Sequence, residues 1–171
     1  MAMSFQAVKE FFTRAGLGDR VLLLEQSSAT VQQAAEALGC QPKQIAKTLS
    51  FLVEGQPILI VAAGDAKIDN RKYKEQFHQK AAMIAREEVE SLIGHPPGGV
   101  CPFCIRPGVK VYLDISLKRF TQVYPAAGSA NSAVLLSLPE LEQFSGSDQW
   151  IDVCKGWGEE SFPSSPSLNT K

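Results

Sequence analysis

The chain has 171 residues, a length that suits one domain with its own hydrophobic core. Its 17 lysines and arginines against 18 aspartates and glutamates give a net charge of -1, which excludes the strong basic field of proteins that bind nucleic acid without sequence preference. Any such contact is therefore expected to be local. The sequence contains neither an apolar run of about 18 residues nor a secretory signal, and we expect a soluble, cytoplasmic protein.

Two amphipathic helices are predicted near the N-terminus. Ser4 is a good N-cap for the first, and Gly16 is expected to end it. Thr30 and Gln33 have the spacing of a capping box at the start of the second. Gly39 stands where a helix end favours a left-handed residue.

A β-hairpin is the clearest strand signal, because apolar residues alternate over 47–53 and an apolar run follows over 58–63. Further strands are predicted over 21–25, 109–114, 133–136 and 150–153. Helical segments are predicted after Pro42, after Asp69 as its cap, over 87–93, and over 139–144 with Ser137 at its start. This order predicts an α+β (mixed α/β) fold with a twisted, barrel-like mixed sheet surrounded by short helices. We expect one domain over 1–157 and a disordered tail over 158–171.

Lys47 is the first candidate site residue, because strand alternation puts it in phase with the apolar residues Leu49 and Phe51. In one interpretation its aliphatic stem covers apolar surface while the ammonium reaches water. In the other, the ammonium is fixed at the mouth of a cleft, where it holds a phosphate, a ribose hydroxyl or an ester carbonyl. The phase of the strand leaves both interpretations open.

The second candidate is a stiff loop that contains Pro96, Pro97, Gly98, Gly99 and Pro102. Glycine lets a ligand approach the backbone closely, and amides in such a loop can stabilise a developing oxyanion. Glycine and proline also punctuate ordinary loops, so a simple tight connection fits the same residues.

Cys101 and Cys104 form a C-x-x-C pair, a pattern found in redox and zinc sites. A redox pair is expected at the start of a helix, and Pro102 speaks against a helix there. A four-sulfur zinc site needs a second pair, whereas Cys40 and Cys154 are isolated in the sequence. We therefore assign no metal and no cofactor.

Two further polar features end or connect predicted strands. Asp114 either caps a turn with Ser116 or pairs with a lysine or an ammonium ligand. Gly128, Ser129 and Asn131 belong to a polar loop whose side chains can satisfy their own backbone.

Taken together, four segments in this order resemble the YbaK/EbsC family: 44–49 (Gln-Ile-Ala-Lys-Thr-Leu), 64–69 (Gly-Asp-x-x-Ile-Asp), 98–103 (Gly-Gly-Val-Cys-Pro-Phe) and 111–117 (Val-Tyr-Leu-Asp-x-Ser-Leu). The resemblance covers about residues 5–153. The family is similar in fold to the editing domain of bacterial prolyl-tRNA synthetases and includes free-standing deacylases that clear mischarged tRNA for proline. Many relatives have glycine where this chain has Cys104.

The resemblance implies that the family lysine is Lys47 and that the loop glycine and proline are Gly98 and Pro102. Lys47 would position the substrate, and the amides of Gly98 and Gly99 would stabilise the oxyanion when water or a substrate hydroxyl attacks the aminoacyl ester. We expect the substrate to be bound by Cys101, Pro102, Asp114, Gly128, Ser129 and Asn131.

The implied substrate is the aminoacyl end of mischarged tRNA, above all tRNA for proline carrying alanine, cysteine, serine or threonine. Because the net charge is close to zero, prolyl-tRNA synthetase or an elongation factor is expected to supply the tRNA. The alternative is a non-catalytic binding or regulatory module of the same fold, since a fold does not guarantee activity. The presence of Lys47 favours the enzyme.

Overall fold

The computed structural model describes residues 2–24, 30–147 and 149–158. In this part of the chain the helices are α1 (Ala2–Arg14), α2 (Val31–Leu38), α3 (Asn70–Phe77), α4 (Arg86–Ile93) and α5 (Leu138–Ser145). The strands are β1 (Val21–Leu23), β2 (Ile45–Val53), β3 (Gln56–Ala63), β4 (Lys67–Ile68), β5 (Lys110–Asp114), β6 (Gln122–Pro125), β7 (Ser132–Val134), β8 (Leu136–Ser137), β9 (Trp150–Ile151) and β10 (Cys154–Lys155). Three 3₁₀ turns cover Gly18–Arg20, Pro42–Gln44 and Ile115–Arg119.

The main sheet has six strands in the order β8-β6-β2-β3-β5-β9 and curls into a half-barrel. β2 pairs antiparallel with β3 and β6 pairs antiparallel with β8, whereas β3 with β5, β2 with β6 and β5 with β9 are parallel. Two shorter antiparallel ribbons, β1 with β7 and β4 with β10, complete the strand pairing. The predicted α+β class with a barrel-like mixed sheet is confirmed. Among the described helices, each is too short or too polar to cross a bilayer.

The core explains why β3 is an unbroken apolar run. Residues 58–63 are all buried, because β3 lies between β2 and β5 in the centre of the sheet. At the start of the chain, α1 brings Phe11 and Phe12 against Phe103 and Phe144, with the Phe12 and Phe103 ring centroids 4.9 Å apart. This aromatic cluster anchors the end of the predicted glycine loop to α1.

Local capping signals account for most of the helix boundaries. Thr30 Oγ1 accepts the N–H of Gln33 at 3.1 Å, and Gly39 has a left-handed φ of 72°. Asp69 caps α3 and Ser137 caps α5 in the same way, as predicted.

Three predicted elements need correction. α1 begins at Ala2, so Ser4 does not cap it, and the Ser4 side chain instead contacts His95. The strand predicted over 133–136 is divided into β7 and β8, because the N–H of Leu135 donates to Arg20. The strand predicted over 150–153 stops at Ile151, because Val153 donates its N–H to the Asp114 carboxylate. The predicted strand end at residue 25 and the tail over 159–171 lie outside the described residues.

Candidate active site

A cavity of about 200 Å³ opens between α2, the start of β2 and the loops at 98–100 and 126–133. Most of its lining is apolar and comes from Val31, Ala34, Leu38, Ile45, Ala46, Val100, Tyr124, Ala126 and Ala133. The residues of the lining that carry polar side chains include Thr30, Lys47, Thr48, Ser129 and Ser132. An apolar cavity with a few polar groups is typical of a site for a small molecule or for a small part of a larger one.

Lys47 lies on β2 opposite Ala62 of β3 and lines this cavity. Its side chain is half-buried, and its ammonium donates a hydrogen bond to the carbonyl oxygen of Ala66. Burial lowers the pKa of Lys47, whereas nearby Cys154 and Asp65 oppose the shift. The stem of Lys47 is thus partly buried and its ammonium is held by a backbone carbonyl, while a role in holding the substrate stays a prediction.

The glycine loop contributes backbone to the same cavity through Gly98, which has a left-handed φ of 91°. The N–H of Gly99 donates to Pro96 at 2.9 Å, whereas the N–H groups of Gly98 and Val100 donate to no acceptor among the described residues. The N–H of Gly99, one of the two predicted oxyanion donors, is therefore already paired, whereas Gly98 and Val100 line the cavity with N–H groups that are unpaired in the described part of the chain. Val100 carries no signal in the sequence, because a valine side chain does not mark a backbone donor.

Gly99 has a steric role in the site, because the backbone packed against it leaves no space for a Cβ atom. A Cβ atom built on Gly99 would lie 2.7 Å from the backbone N and Cα of Ser129. Gly128 makes a similar close approach, since a Cβ there would lie 2.7 Å from the carbonyl oxygen of Ser4. The predicted Gly99, Gly128 and Ser129 therefore lie together, with backbone packed on backbone and α1 behind them.

His95 connects the loop to α1 from within the core. It is 1% exposed, and its Nε2–H donates to the carbonyl oxygen of Phe103 at 2.6 Å. Nδ1 accepts from the Ser4 hydroxyl, which a neutral imidazole with its proton on Nε2 allows. Burial lowers the pKa of His95, which favours this neutral form. The sequence carries no signal for this contact, because Ser4 is distant in the chain from His95.

The two cysteines of the C-x-x-C pair have different surroundings. Cys101 is fully buried, and its Sγ lies 3.4 Å from His95 Nε2. Burial raises the pKa of Cys101 to about 12, so this thiol stays protonated at neutral pH. Cys104 is exposed and its Sγ donates to the carbonyl oxygen of Ala7. In the described part of the chain no group of three or more His, Cys, Asp or Glu side chains could hold a metal ion.

Cys104 has a left-handed φ of 55°, which a residue with a Cβ rarely adopts. Cys104→Gly is expected to raise the free energy of unfolding by about 1 kcal/mol, because relief of the left-handed strain exceeds the entropy cost of glycine. Urea unfolding measures this difference. Cys104→Ala keeps the Cβ and serves as the control, and an equal gain in both variants would contradict this explanation.

Asp114 lies apart from the cavity lining and is fully buried. Its two oxygens accept the N–H groups of Ser116 and Val153, each at 2.9 Å. The turn-capping interpretation therefore describes its contacts, and it also fixes the segment between β9 and β10. A role for Asp114 in substrate binding stays a prediction.

The polar loop at 128–132 is largely closed on itself. Ser129 Oγ is 2.9 Å from Asn131 Oδ1 and 2.8 Å from Ser132 Oγ, and Asn131 donates to the carbonyl oxygen of Leu24. Ser129 lines the cavity, whereas Gly128 and Asn131 support it from outside the lining. Among the other predicted binding residues, Cys101 and Pro102 are buried and likewise do not line the cavity.

Thr48 is a residue of this cavity that sequence analysis missed. It lines the cavity next to Lys47, and its Oγ1 is buried with no hydrogen-bond partner among the described residues. An unsatisfied buried hydroxyl costs about 1–3 kcal/mol, and such groups call for a functional or structural explanation. In the sequence Thr48 is one of the residues that alternate with the apolar residues of β2, so nothing marks it as a site residue.

Comparison with known proteins adds independent information. The family model described as aminoacyl-tRNA editing domain matches residues 25–144. Uncharacterized protein YwhH of Bacillus subtilis (strain 168) is 54% identical over 156 residues, which cover 91% of this chain and 99% of YwhH. Proline–tRNA ligase of Bacillus pumilus (strain SAFR-032) is 30% identical over 103 residues, which cover 60% of this chain and 18% of the ligase.

Among solved structures, the crystal structure of a candidate trans-editing enzyme for prolyl tRNA synthetase superposes with a TM-score of 0.80 and 28% identity. The match covers 90% of this chain and 98% of that one. The crystal structure of hypothetical protein APE2540 superposes with a TM-score of 0.77 and 30% identity, over 86% of this chain and 99% of that one.

Proposed function

Because this chain belongs to the aminoacyl-tRNA editing domain family, we propose that it hydrolyses the ester bond of mischarged aminoacyl-tRNA. The observation that carries the proposal is that Lys47 and Gly98, which are distant in the chain, line one cavity. The proposed substrates are molecules of tRNA for proline that carry alanine, cysteine, serine or threonine. The proposed setting is trans-editing in the cytoplasm.

The proposed reaction needs no nucleophile from the protein. Water, assisted by a hydroxyl of the terminal ribose, attacks the ester carbonyl, and its carbon–oxygen double bond opens to an oxyanion. The N–H groups of Gly98 and Val100 are the proposed oxyanion donors. The oxyanion then re-forms the carbonyl and the ester bond to the ribose oxygen breaks. That oxygen takes the proton that the attacking water has given up through the neighbouring ribose hydroxyl. The products are a free amino acid and uncharged tRNA.

Lys47 is suited to positioning the substrate. An ammonium has three donors, and one of them is used on the carbonyl of Ala66. The other two are available to a ribose hydroxyl or to the ester carbonyl. A held ammonium loses little freedom when it binds, which favours catalysis by orientation.

The lining of the cavity supports small aminoacyl groups as substrates. The volume of the cavity is about 200 Å³ and its lining is mostly apolar. One methylene changes discrimination in an apolar pocket by about 1–3 kcal/mol, so alanine, cysteine, serine and threonine are expected to react at graded rates.

A deacylation panel tests the proposal. We expect release of at least one amino acid when tRNA for proline is charged in turn with alanine, cysteine, serine, threonine and proline, and little release of proline. The panel is repeated with prolyl-tRNA synthetase and with an elongation factor, the proposed suppliers of the tRNA. Absence of release from every mischarged tRNA under all these conditions would refute the enzyme. Binding of the mischarged tRNA without release would instead assign a non-catalytic module.

Thr48 provides a prediction that links stability to substrate binding. Thr48→Val has nearly the same shape and is expected to raise the free energy of unfolding by about 1 kcal/mol, because it removes an unsatisfied buried hydroxyl. We propose that the hydroxyl bonds the substrate once the complex forms, so the kcat/KM for deacylation is expected to fall about tenfold. Urea unfolding and steady-state kinetics measure the two effects. Ser50→Ala, on the same strand but outside the cavity lining, is the control. A stabilised variant with unchanged kinetics would argue against contact with the substrate.

A further inference from the structure

The ribbon of β4 and β10 carries two lysines directly opposite each other. Lys67 pairs with Lys155 in the antiparallel register, and both side chains are exposed. Neither forms an ion pair with a described carboxylate. The carboxylate of Asp69 interacts electrostatically with Lys155, but it already caps α3. Because like charges directly opposite each other destabilise a strand pair, this ribbon has the electrostatics of a site for an anion.

Trp157 follows this ribbon and rests on a rigid support. The Arg119 guanidinium carbon lies 5.1 Å from the centre of the half-exposed Trp157 ring. Arg119 donates to both oxygens of Asp65, at 3.0 and 2.6 Å, and through Nε to the carbonyl oxygen of Ser116 at 2.9 Å. The N–H of Gly158, the residue after Trp157, also donates to Asp65 at 3.4 Å. The position of the indole is therefore set before any ligand arrives.

The charge state of Asp65 maintains this support. Burial on its own would raise the pKa of Asp65, but the hydrogen-bonded Arg119 guanidinium and the Gly158 N–H lower it below its usual value. The carboxylate thus stays ionised at neutral pH and holds Arg119 under the ring.

The same segment is continuous with the candidate active site. The carbonyl oxygen of Ala66 accepts the Lys47 ammonium, and Lys67 is the next residue. Both Asp65 and Lys67 act electrostatically on Lys47. The ribbon therefore begins one residue after Ala66, the residue that Lys47 contacts.

We propose that Lys67, Lys155 and Trp157 form a binding surface for the single-stranded end of an RNA, named here the RNA platform. The lysines contact phosphates and Trp157 stacks on a base, the combination by which proteins bind single strands. With a net charge of -1 the chain needs such a local patch to retain RNA. An acidic peptide would bind the two lysines, but the rigidly supported Trp157 ring would add little to its binding free energy. The inference rests on the proposed function, since it assigns the contacts of the unpaired nucleotides next to the reacting ester.

The test measures binding of an uncharged ACCA tetranucleotide to the full chain by fluorescence anisotropy, over a range of salt concentrations. We expect Lys67→Gln and Lys155→Gln each to reduce the slope of log K against log salt by about 0.7. Trp157→Leu is expected to weaken binding about tenfold. Lys110→Gln, an exposed lysine on β5 opposite Ile58, is the matched control and is expected to bind like the wild type.

A second readout follows Trp157 directly. Trp150→Phe leaves Trp157 as the only tryptophan of the chain, and we expect its fluorescence to be quenched as ACCA binds. Absence of quenching up to millimolar RNA, or equal binding by all variants, would overturn the RNA platform. Equally tight binding of a polyglutamate peptide would overturn it in favour of an acidic protein segment.

These outcomes are separable from failure of the proposed function, because the tetranucleotide carries no ester. If the wild type deacylates mischarged tRNA and the platform variants bind ACCA as tightly as the wild type does, the RNA platform alone is overturned. Binding that depends on the platform without any deacylation would overturn the enzyme and keep the platform.

Discussion

Replacing Lys47 with methionine is expected to lower kcat/KM for deacylation of mischarged tRNA by about 10²- to 10³-fold, the loss typical of removing one preorganised electrostatic contact. Methionine keeps an aliphatic stem in the half-buried position, so packing against the sheet is retained. What disappears is the ammonium that is held on Ala66. The free energy of unfolding is not expected to fall by more than about 1 kcal/mol, because burying the lysine charge was itself costly.

Single-turnover deacylation and urea unfolding of the same preparation separate the two effects. Lys43→Met, in the 3₁₀ turn just before β2, is the matched control and is expected to retain activity. Lys47→Arg is not expected to rescue the loss, because a planar guanidinium does not replace a compact ammonium. Equal losses in the Lys43 and Lys47 variants would contradict a specific role for Lys47.

The pH dependence of deacylation by the wild type tests which charge state of Lys47 contributes to activity. In the proposed mechanism the active form is the ammonium, and burial lowers the pKa of Lys47 from its ordinary value of 10.5. The activity is therefore expected to decline on the alkaline side at a pH below that value, after subtraction of spontaneous ester hydrolysis. This decline should be absent from the residual activity of Lys47→Met.

Gly99→Ala is expected to lower kcat/KM by about 100-fold. The added Cβ would lie 2.7 Å from backbone atoms of Ser129, so one of the two loops has to move. Gly98 is the neighbouring residue and lines the cavity, and a displacement of about 1 Å at reacting groups can cost about 10²-fold in rate. The free energy of unfolding is expected to fall by about 1–3 kcal/mol, as in other overpacked sites.

Gly108→Ala is the control for this effect. Gly108 has a φ of 90°, but a Cβ there would meet no atom within 4 Å. The control is thus expected to lose stability through backbone strain while it retains kcat/KM. Measured at a temperature where both variants are folded, similar kcat/KM values for the two variants would contradict a geometric role for Gly99.

The sequence by itself determined the features that depend on a few neighbouring residues. Thr30, Asp69 and Ser137 were correctly predicted as N-caps, because a cap is formed within about four positions of the chain. The β2–β3 hairpin was predicted for the same reason, since its alternation and its turn are local. The resemblance in order and spacing identified the family, and the family model supports it.

Only the tertiary structure decided which of these segments face each other. The contact of Ser4 with His95 spans 91 positions, and it turned a predicted helix cap into part of the support for the glycine loop. The available amide of Val100 and the unsatisfied hydroxyl of Thr48 likewise depend on what packs around them. Periodicity reports which face of an element is apolar, but the partner of that face is set by the packing of the whole chain.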